Sequence, residues 1–92
     1  MKLHRVKNDR NGNSRFVVNF LDLVTAADRK SAPEYGPARI TWLFEKALQR
    51  ARKIGGKRYT GKDISGGIVF QEYESVLVEN LSALLKKEGG AA

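Results

Sequence analysis

Residues near the start of the chain alternate between apolar and polar in a way that predicts a β-hairpin. Residues 15–23 (RFVVNFLDL) have the period-two pattern that is typical of a strand. A shorter run over residues 3–7 predicts its partner strand. Asn11 and Gly12 lie between the two runs, and this pair favours a tight turn because both residues accept positive φ. Arg10 is then expected at the tip of the hairpin.

A second hairpin is predicted over residues 57–60 and 67–73, with the loop GKDISG between its strands. Ile68 and Phe70 fall on one face of the second strand, and the residues that alternate with them fall on the other. We therefore expect one face of this hairpin to contribute to a core.

Two further stretches have the spacing of amphipathic helices. The first is expected to begin at Pro37 and to end at Gly55 and Gly56. Its predicted buried face consists of Ile40, Leu43, Phe44, Ala47, Leu48, Ala51 and Ile54. The second helix is expected to follow an N-cap at Ser75. Its predicted buried face consists of Leu77, Val78, Leu81, Leu84 and Leu85.

The order of these elements, ββαββα, predicts a single α+β domain. Two hairpins and two amphipathic helices can bury their apolar faces together in two layers, as a four-stranded antiparallel sheet with two helices on one face. Residues 24–36 lack a sustained period and are expected to form a long surface connection with one helical turn. We expect the domain to span residues 1–88 and a flexible C-terminal tail to follow over 89–92.

The chain offers little of the chemistry that enzymes use. It has no cysteine, and its one histidine, His4, lies near Lys2 and Arg5, which would repel a metal ion. The glycine pairs at 55–56 and 66–67 lead into predicted strands, whereas a phosphate-binding loop leads into a helix. We therefore expect a non-enzymatic protein with no catalytic residue, no cofactor and no metal.

The sequence also shows no sign of a membrane partner. No apolar run approaches the roughly 20 residues that span a bilayer, and the first residues are too polar for a signal peptide. We expect a cytoplasmic protein.

Charge is distributed unevenly along the chain. The net charge is +7, but residues 1–62 carry 15 of the 17 Lys and Arg and 5 of the 10 acids, which gives +10. Residues 63–92 carry 2 bases and 5 acids, which gives −3. A generally basic surface is one explanation. A directed basic face that meets a polyanion explains the asymmetry better.

A helical wheel places a basic row on the side of the first helix that faces away from its apolar residues. The row consists of Arg39, Lys46, Arg50 and Lys53. Trp42 is expected at the margin of this row, pointing away from the core. Either the connection over residues 24–36 covers the indole, or Trp42 is a contact residue, since Trp and Arg are enriched at binding hot spots.

Basic residues of the helix and of the two hairpins are expected to converge on one side that binds a polyanion. The candidate contact residues are Arg5, Lys7, Arg10, Arg15, Arg39, Trp42, Lys46, Arg50, Lys53, Lys57, Arg58, Tyr59 and Lys62. Phosphate contacts of this kind give salt-sensitive affinity without sequence preference. Tyr59 either stacks on a base or packs across strands, and no established sequence-reading module is visible.

Two stretches, HRVKNDRNGNSRFVVNF and ARKIGGKRYTGKDISGGIVFQEYE, resemble small proteins carried by phages and plasmids. With its length, basicity and ββαββα order, the chain resembles an anti-CRISPR inhibitor of type I (I-F-like) surveillance complexes. The resemblance implies a compact monomer in the cytoplasm of the infected bacterium. Such an inhibitor docks on a crRNA-guided nucleoprotein complex, contacts guide RNA and protein subunits, and blocks target DNA binding. Naked nucleic acid would then bind weakly.

Other interpretations remain open at this point. A phage or plasmid DNA-binding regulator would bind a defined duplex, usually as a symmetric dimer. A small structural or ribosome-like RNA binder would bind folded RNA tightly. If the chain is an anti-CRISPR inhibitor, its acidic last third suits a second contact with the basic protein subunits of the complex. Its relevant residues are Asp63, Glu72, Glu74 and Glu79.

Overall fold

The computed structural model describes residues 1–7 and 11–88. Its elements are β1 (His4–Val6), β2 (Arg15–Asn19), a 3₁₀-helix (Phe20–Leu23), α1 (Ala26–Ser31), α2 (Gly36–Arg52), β3 (Lys57–Arg58), β4 (Gly67–Phe70) and α3 (Glu74–Lys87). The four strands form one antiparallel sheet in the order β1-β2-β4-β3. The predicted α+β class and the four-stranded antiparallel sheet are confirmed.

The central strands β2 and β4 join the two hairpins, because Phe16 lies opposite Phe70 and Val18 lies opposite Ile68. These four side chains share one face of the sheet and one hydrophobic cluster with residues of α2 and α3. The helices contribute Leu43, Ala47, Leu48, Ala51, Leu77 and Leu81 to that cluster. Both long helices therefore cover the same face, as the apolar periodicity predicted.

The glycines at the end of α2 stop the helix and turn the chain into β3. Gly55 has a φ of 86°, and the Gly56 N–H donates to the Ala51 carbonyl at 2.9 Å. A Cβ on Gly56 would lie 2.7 Å from the Phe70 ring, so the turn needs glycine there for room as well. The predicted end of this helix is confirmed.

The predicted strand over residues 15–23 is too long. β2 ends at Asn19, whose side-chain oxygen accepts the Leu21 N–H at 2.9 Å and so caps the 3₁₀-helix. The strands of the second hairpin are also shorter than predicted, ending at Arg58 and Phe70. Residues 8–10, which include the predicted hairpin tip, lie outside the described residues.

The connection over residues 24–36 contains α1, a helix of six residues. Thr25 and Asp28 form a capping box, in which the Asp28 N–H donates to Thr25 Oγ1 at 3.1 Å and the Thr25 N–H donates to Asp28 Oδ2 at 3.0 Å. This reciprocal pair lets a short helix form where hydrophobic periodicity is too brief to show one.

Three predictions about the long helices are wrong. Ile40, expected in the core, is 61% exposed because it lies beyond the edge of the sheet-covering stripe of α2. Val78 is 48% exposed on α3. The N-cap of α3 is Tyr73, and Ser75 lies inside the first turn.

Candidate nucleic-acid interface

The sheet has a second face, opposite the layer formed by α2 and α3, which we call the open face. Cross-strand pairing places His4, Val17, Val69 and Lys57 in one row across it. A second row pairs Val6 with Arg15, and a third pairs Asn19 with Gly67. The open face therefore combines a narrow apolar centre with basic and polar residues.

Tyr59 extends the open face just after β3. Its N–H donates to the Gly67 carbonyl at 3.0 Å, which continues the β3–β4 pairing by one residue. Its hydroxyl donates to Asp63 Oδ1 at 2.7 Å. The sheet thus holds the backbone of Tyr59, and the loop that follows holds its hydroxyl.

Two glycines make room for this tyrosine. A Cβ on Gly67 would lie 2.5 Å from Val17 Cγ1 and 3.3 Å from Tyr59 Cβ. A Cβ on Gly61 would lie 2.3 Å from the Tyr59 hydroxyl. Neither glycine has a positive φ, so close approach explains the residue type at both positions.

The hydrogen bond to Asp63 raises the pKa of the Tyr59 phenol above its ordinary value, and partial desolvation adds to the effect. The nearby Arg15 guanidinium acts in the opposite direction. The tyrosine is therefore neutral at physiological pH and has its proton committed to Asp63. Its ring, half-buried, is the aromatic part of the open face.

The strand residues of the open face carry cations and no carboxylate. Arg15 comes from β2, and its Nη1 also donates to the Lys7 carbonyl at 3.3 Å, so only part of its guanidinium is free for a partner. Lys57 comes from β3, while Lys62 follows in the loop that contains Asp63. Aromatic rings between cations on a sheet surface are the arrangement on which bases stack while their phosphates are neutralised. The open face therefore offers one aromatic ring for stacking and three cations for contacts with phosphates.

The predicted basic row on α2 is not a free cationic surface, and the exposed placement of Arg50 is wrong. Arg50 is only 9% exposed. Its Nη1 donates to the Leu23 carbonyl at 2.6 Å and to Asp28 Oδ2 at 2.7 Å. The capping box of α1 brings the Asp28 carboxylate over α2, and this pairing draws the guanidinium inward.

The Asp28 carboxyl is ionised beside Arg50. Burial by itself raises the pKa of Asp28, but the Arg50 guanidinium and the Thr25 N–H outweigh burial and hold that pKa below its usual range. The pair joins α1 to α2 through charge-assisted hydrogen bonds. Arg50 thus belongs to the framework of the fold.

Other members of the row are also engaged within the chain. Arg39 Nη1 donates to the carbonyls of Arg29, at 3.3 Å, and Pro33, at 3.2 Å. Lys53 forms an ion pair with Glu88. Arg39 and Lys53 therefore meet internal oxygens, which weakens the case for α2 as the main polyanion surface.

The helical wheel predicted that Trp42 points away from the core, and this prediction is wrong. Its ring is half-buried and packs against the hydrophobic cluster. Lys46 Nζ lies 5.0 Å from the ring centroid, within the range of a cation–π contact. Both alternatives for Trp42, a cover formed by residues 24–36 and a contact with a partner, stay predictions.

The basic residues of the second hairpin are divided between the two faces by strand alternation. Lys57 pairs with Val69 on the open face, whereas Arg58 pairs with Ile68 on the helix-covered face. Arg58 lies 4.9 Å from the Phe44 ring centroid and 3.4 Å from Glu45 Oε1. The hairpin therefore gives one cation to the open face and one to a contact with α2.

The first hairpin is divided too. Arg5 is paired with Phe16 on β1, at the edge of the sheet opposite β3, and Lys7 follows β1. Arg10 lies outside the described residues. The expected convergence of all basic clusters on one side is wrong, because Arg50 is buried and Arg5 and Arg58 pair with the helix-covered positions Phe16 and Ile68. Arg15, Lys57 and Tyr59 are the candidates that the open face brings together.

Sequence reasoning assigned Asp63 to a contact with protein subunits and did not connect it with Tyr59, and it did not place His4 in the same row as Lys57. A strand pairing scheme would have found His4.

Within the described residues, no group of three or more His, Cys, Asp or Glu is placed to hold a metal ion. No helix among those residues is both long enough and apolar enough to cross a bilayer.

Comparison with known families gives one result. A family model described as Staphylococcus phage terminal repeat-encoded protein TreK matches residues 1–89. The chain belongs to this family. The prediction that the protein is phage-encoded is confirmed by the TreK match. No curated protein and no solved structure matches the chain.

Proposed function

We propose that this TreK family protein is a non-enzymatic phage protein that uses the open face to bind single-stranded nucleic acid exposed in a host nucleoprotein complex. The observation that carries the proposal is that Tyr59 shares a sheet face with Arg15 and Lys57, and that the strand residues of this face include no carboxylate. Stacking on an aromatic ring supplies affinity for any base, and neighbouring cations supply affinity for the backbone.

Tyr59 packs across the strands over Gly67, and its fixed ring also suits a contact role. Gly61 and Gly67 leave space for the phenol, and Asp63 fixes its hydroxyl. A ring fixed before binding loses little conformational entropy when a base stacks on it.

An anti-CRISPR inhibitor is the specific form of this proposal. In that form the open face contacts the guide RNA of a crRNA-guided type I complex, and target DNA binding is blocked. The acidic residues near the start of α3 would meet basic protein subunits. Glu74 and Glu79 are both exposed there, which suits such a contact.

The alternative of a duplex DNA-binding regulator has less support. A regulator usually inserts a helix with unpaired basic and polar side chains into the major groove. Arg39, Arg50 and Lys53 on α2 already meet oxygens of the chain itself. Tighter binding to duplex DNA than to single-stranded RNA in the test below would favour the regulator.

The test is fluorescence anisotropy of labelled single-stranded RNA and of duplex DNA at about 50 and 200 mM salt. Three phosphate contacts, from Arg15, Lys57 and Lys62, predict that single-strand affinity falls about 20-fold between these salt concentrations. Lys57→Glu should weaken binding, and Lys30→Glu, the same change on exposed α1, should have a much smaller effect.

The tyrosine is tested with Tyr59→Leu against Tyr73→Leu, because Tyr73 is 72% exposed and lies outside the four strands, at the N-cap of α3. Loss of one stacking contact predicts about tenfold weaker binding for the Tyr59 variant. Equal effects of the two tyrosine changes, or tighter binding to duplex than to single strand, would overturn the proposal. A purified guide-RNA–protein complex used as competitor then tests the anti-CRISPR form.

A further inference from the structure

A polar cleft of about 240 Å³ lies between the C-terminal half of α2 and the end of α3. Its lining residues are Asp28, Lys46, Gln49, Arg50, Lys53 and Glu88. Three of these residues are cationic and two are acidic. The cleft belongs to the helical layer and is separate from the open face.

Arg50 brings an unsatisfied donor to this cleft. Its two Nη atoms donate to Asp28 and to the Leu23 carbonyl, but its buried Nε has no hydrogen-bond partner within the described residues. Glu88 Oε2 lies 3.9 Å from this Nε, which is too long for a hydrogen bond. A buried N–H in this state costs free energy that a better-placed anionic oxygen would recover.

Glu88 shows how an anion sits in the cleft. Its carboxylate accepts a hydrogen bond from Lys53 Nζ while its other oxygen faces Arg50 Nε. The hydrogen bond from Lys53 lowers the pKa of Glu88, so the group is charged at neutral pH. Glu88 follows the last residue of α3, so moving its side chain disturbs little of the fold.

We propose that this cleft is a phosphate-binding site that the Glu88 carboxylate occupies in the structure described. A phosphate group would replace that carboxylate, take hydrogen bonds from Arg50 Nε and Lys53 Nζ, and face Lys46 across the cleft. Phosphate has more acceptor oxygens than a carboxylate, and one of them can reach the donor that Glu88 leaves unsatisfied. The site does not depend on the function proposed for the open face.

The experiment compares Glu88→Gln with Glu79→Gln, because both changes remove one negative charge from the α3 region and Glu79 is exposed outside the cleft. Inorganic phosphate and a short oligothymidylate are titrated separately, and the Arg50 Nε–H signal is followed by NMR. Circular dichroism confirms that each variant is folded. We expect Glu88→Gln to bind about fivefold tighter than Glu79→Gln, the size of one exposed ion pair that no longer competes.

Two results support the site and identify the source of the phosphate. A gain with both probes means that a free phosphate group is sufficient, and a gain with the oligonucleotide alone means that the site takes a backbone phosphate. Equal affinities of the two variants for both probes would overturn the proposed phosphate site. An Arg50 Nε–H signal that does not move on titration would overturn it as well. Adding Lys57→Glu to each variant weakens binding at the open face, so the comparison reports binding at the cleft.

Discussion

At the scale of single residues, Tyr59 and Arg50 show opposite uses of hydrogen bonding. Tyr59 is held at the surface by Asp63, and its ring stays at the open face. Arg50 is drawn inward by Asp28 and becomes part of the framework. The helical wheel predicted an exposed Arg50, but a charge-assisted hydrogen bond to Asp28 holds its guanidinium inside the fold.

Replacing Asp63 by Asn should lower the pKa of the Tyr59 phenol toward its ordinary value of about 10, since the hydrogen bond to the carboxylate is the largest cause of the rise. Ultraviolet absorbance titration measures this as the difference between wild type and the Asp63→Asn variant. Tyr35 and Tyr73 are present in both proteins and serve as the background. Superimposable titration curves would show that Asp63 does not hold the phenol.

Asp28→Asn should destabilise the protein by about 2–3 kcal/mol at neutral pH, because it leaves Arg50 buried beside an uncharged partner. Asp22→Asn is the control, since Asp22 is exposed in the 3₁₀-helix. Urea unfolding measures both. A cost below about 0.5 kcal/mol for Asp28→Asn would contradict the framework role, since surface substitutions cost that little.

The same pair predicts how stability depends on pH. The pKa of Asp28 is lowered in the folded state, so its contribution is present above the ordinary carboxyl pKa of about 4 and is lost as pH falls through the lower folded value. The free energy of unfolding should therefore fall in acid, below about pH 4, more steeply for wild type than for Asp28→Asn. Parallel pH profiles for the two proteins would rule this out.

At the scale of elements, hydrophobic periodicity predicted both hairpins and both long helices, because each of them buries a continuous apolar face. It missed α1, whose helix is too short for a repeat. The Thr25–Ala26–Ala27–Asp28 stretch carries a capping-box pattern, with Asp in place of the usual Glu, and that signal was available in the sequence. Without α1, the inward turn of Arg50 could not be predicted, since its partner was assigned to a loop.

The division of basic residues between faces has a similar explanation. Strand alternation could be read for each strand alone, but the order β1-β2-β4-β3 depends on which strands pair. That order places Arg5 and Arg58 at opposite edges of the sheet and Arg15 near Tyr59. Local sequence carries little information on such distant pairing.

Gly67→Ala tests the pairing at the centre of the open face. The new Cβ would lie 2.5 Å from Val17 Cγ1, so we expect a loss of about 1–3 kcal/mol from overpacking. Ser65→Ala, in the exposed loop beside it, should be nearly neutral. Thermal and urea unfolding give the comparison, and wild-type stability for Gly67→Ala would contradict the described packing.

At the scale of the whole molecule, internal ion pairs decide which cations remain available to a partner. In the helical layer, Asp28, Glu45 and Glu88 pair with Arg50, Arg58 and Lys53. The strands of the open face have no equivalent carboxylate, and for this reason the proposed function assigns the polyanion contacts to Arg15 and Lys57.

The most direct test of this account is chemical-shift mapping by NMR with a short single-stranded RNA at low salt. We predict that the largest shifts fall on Arg15, Lys57 and Tyr59 and their neighbours on the open face, and that they diminish as salt is raised. Shifts confined to α2 and α3, or no shifts at an RNA concentration that saturates anisotropy, would contradict the assignment of the open face as the nucleic-acid interface.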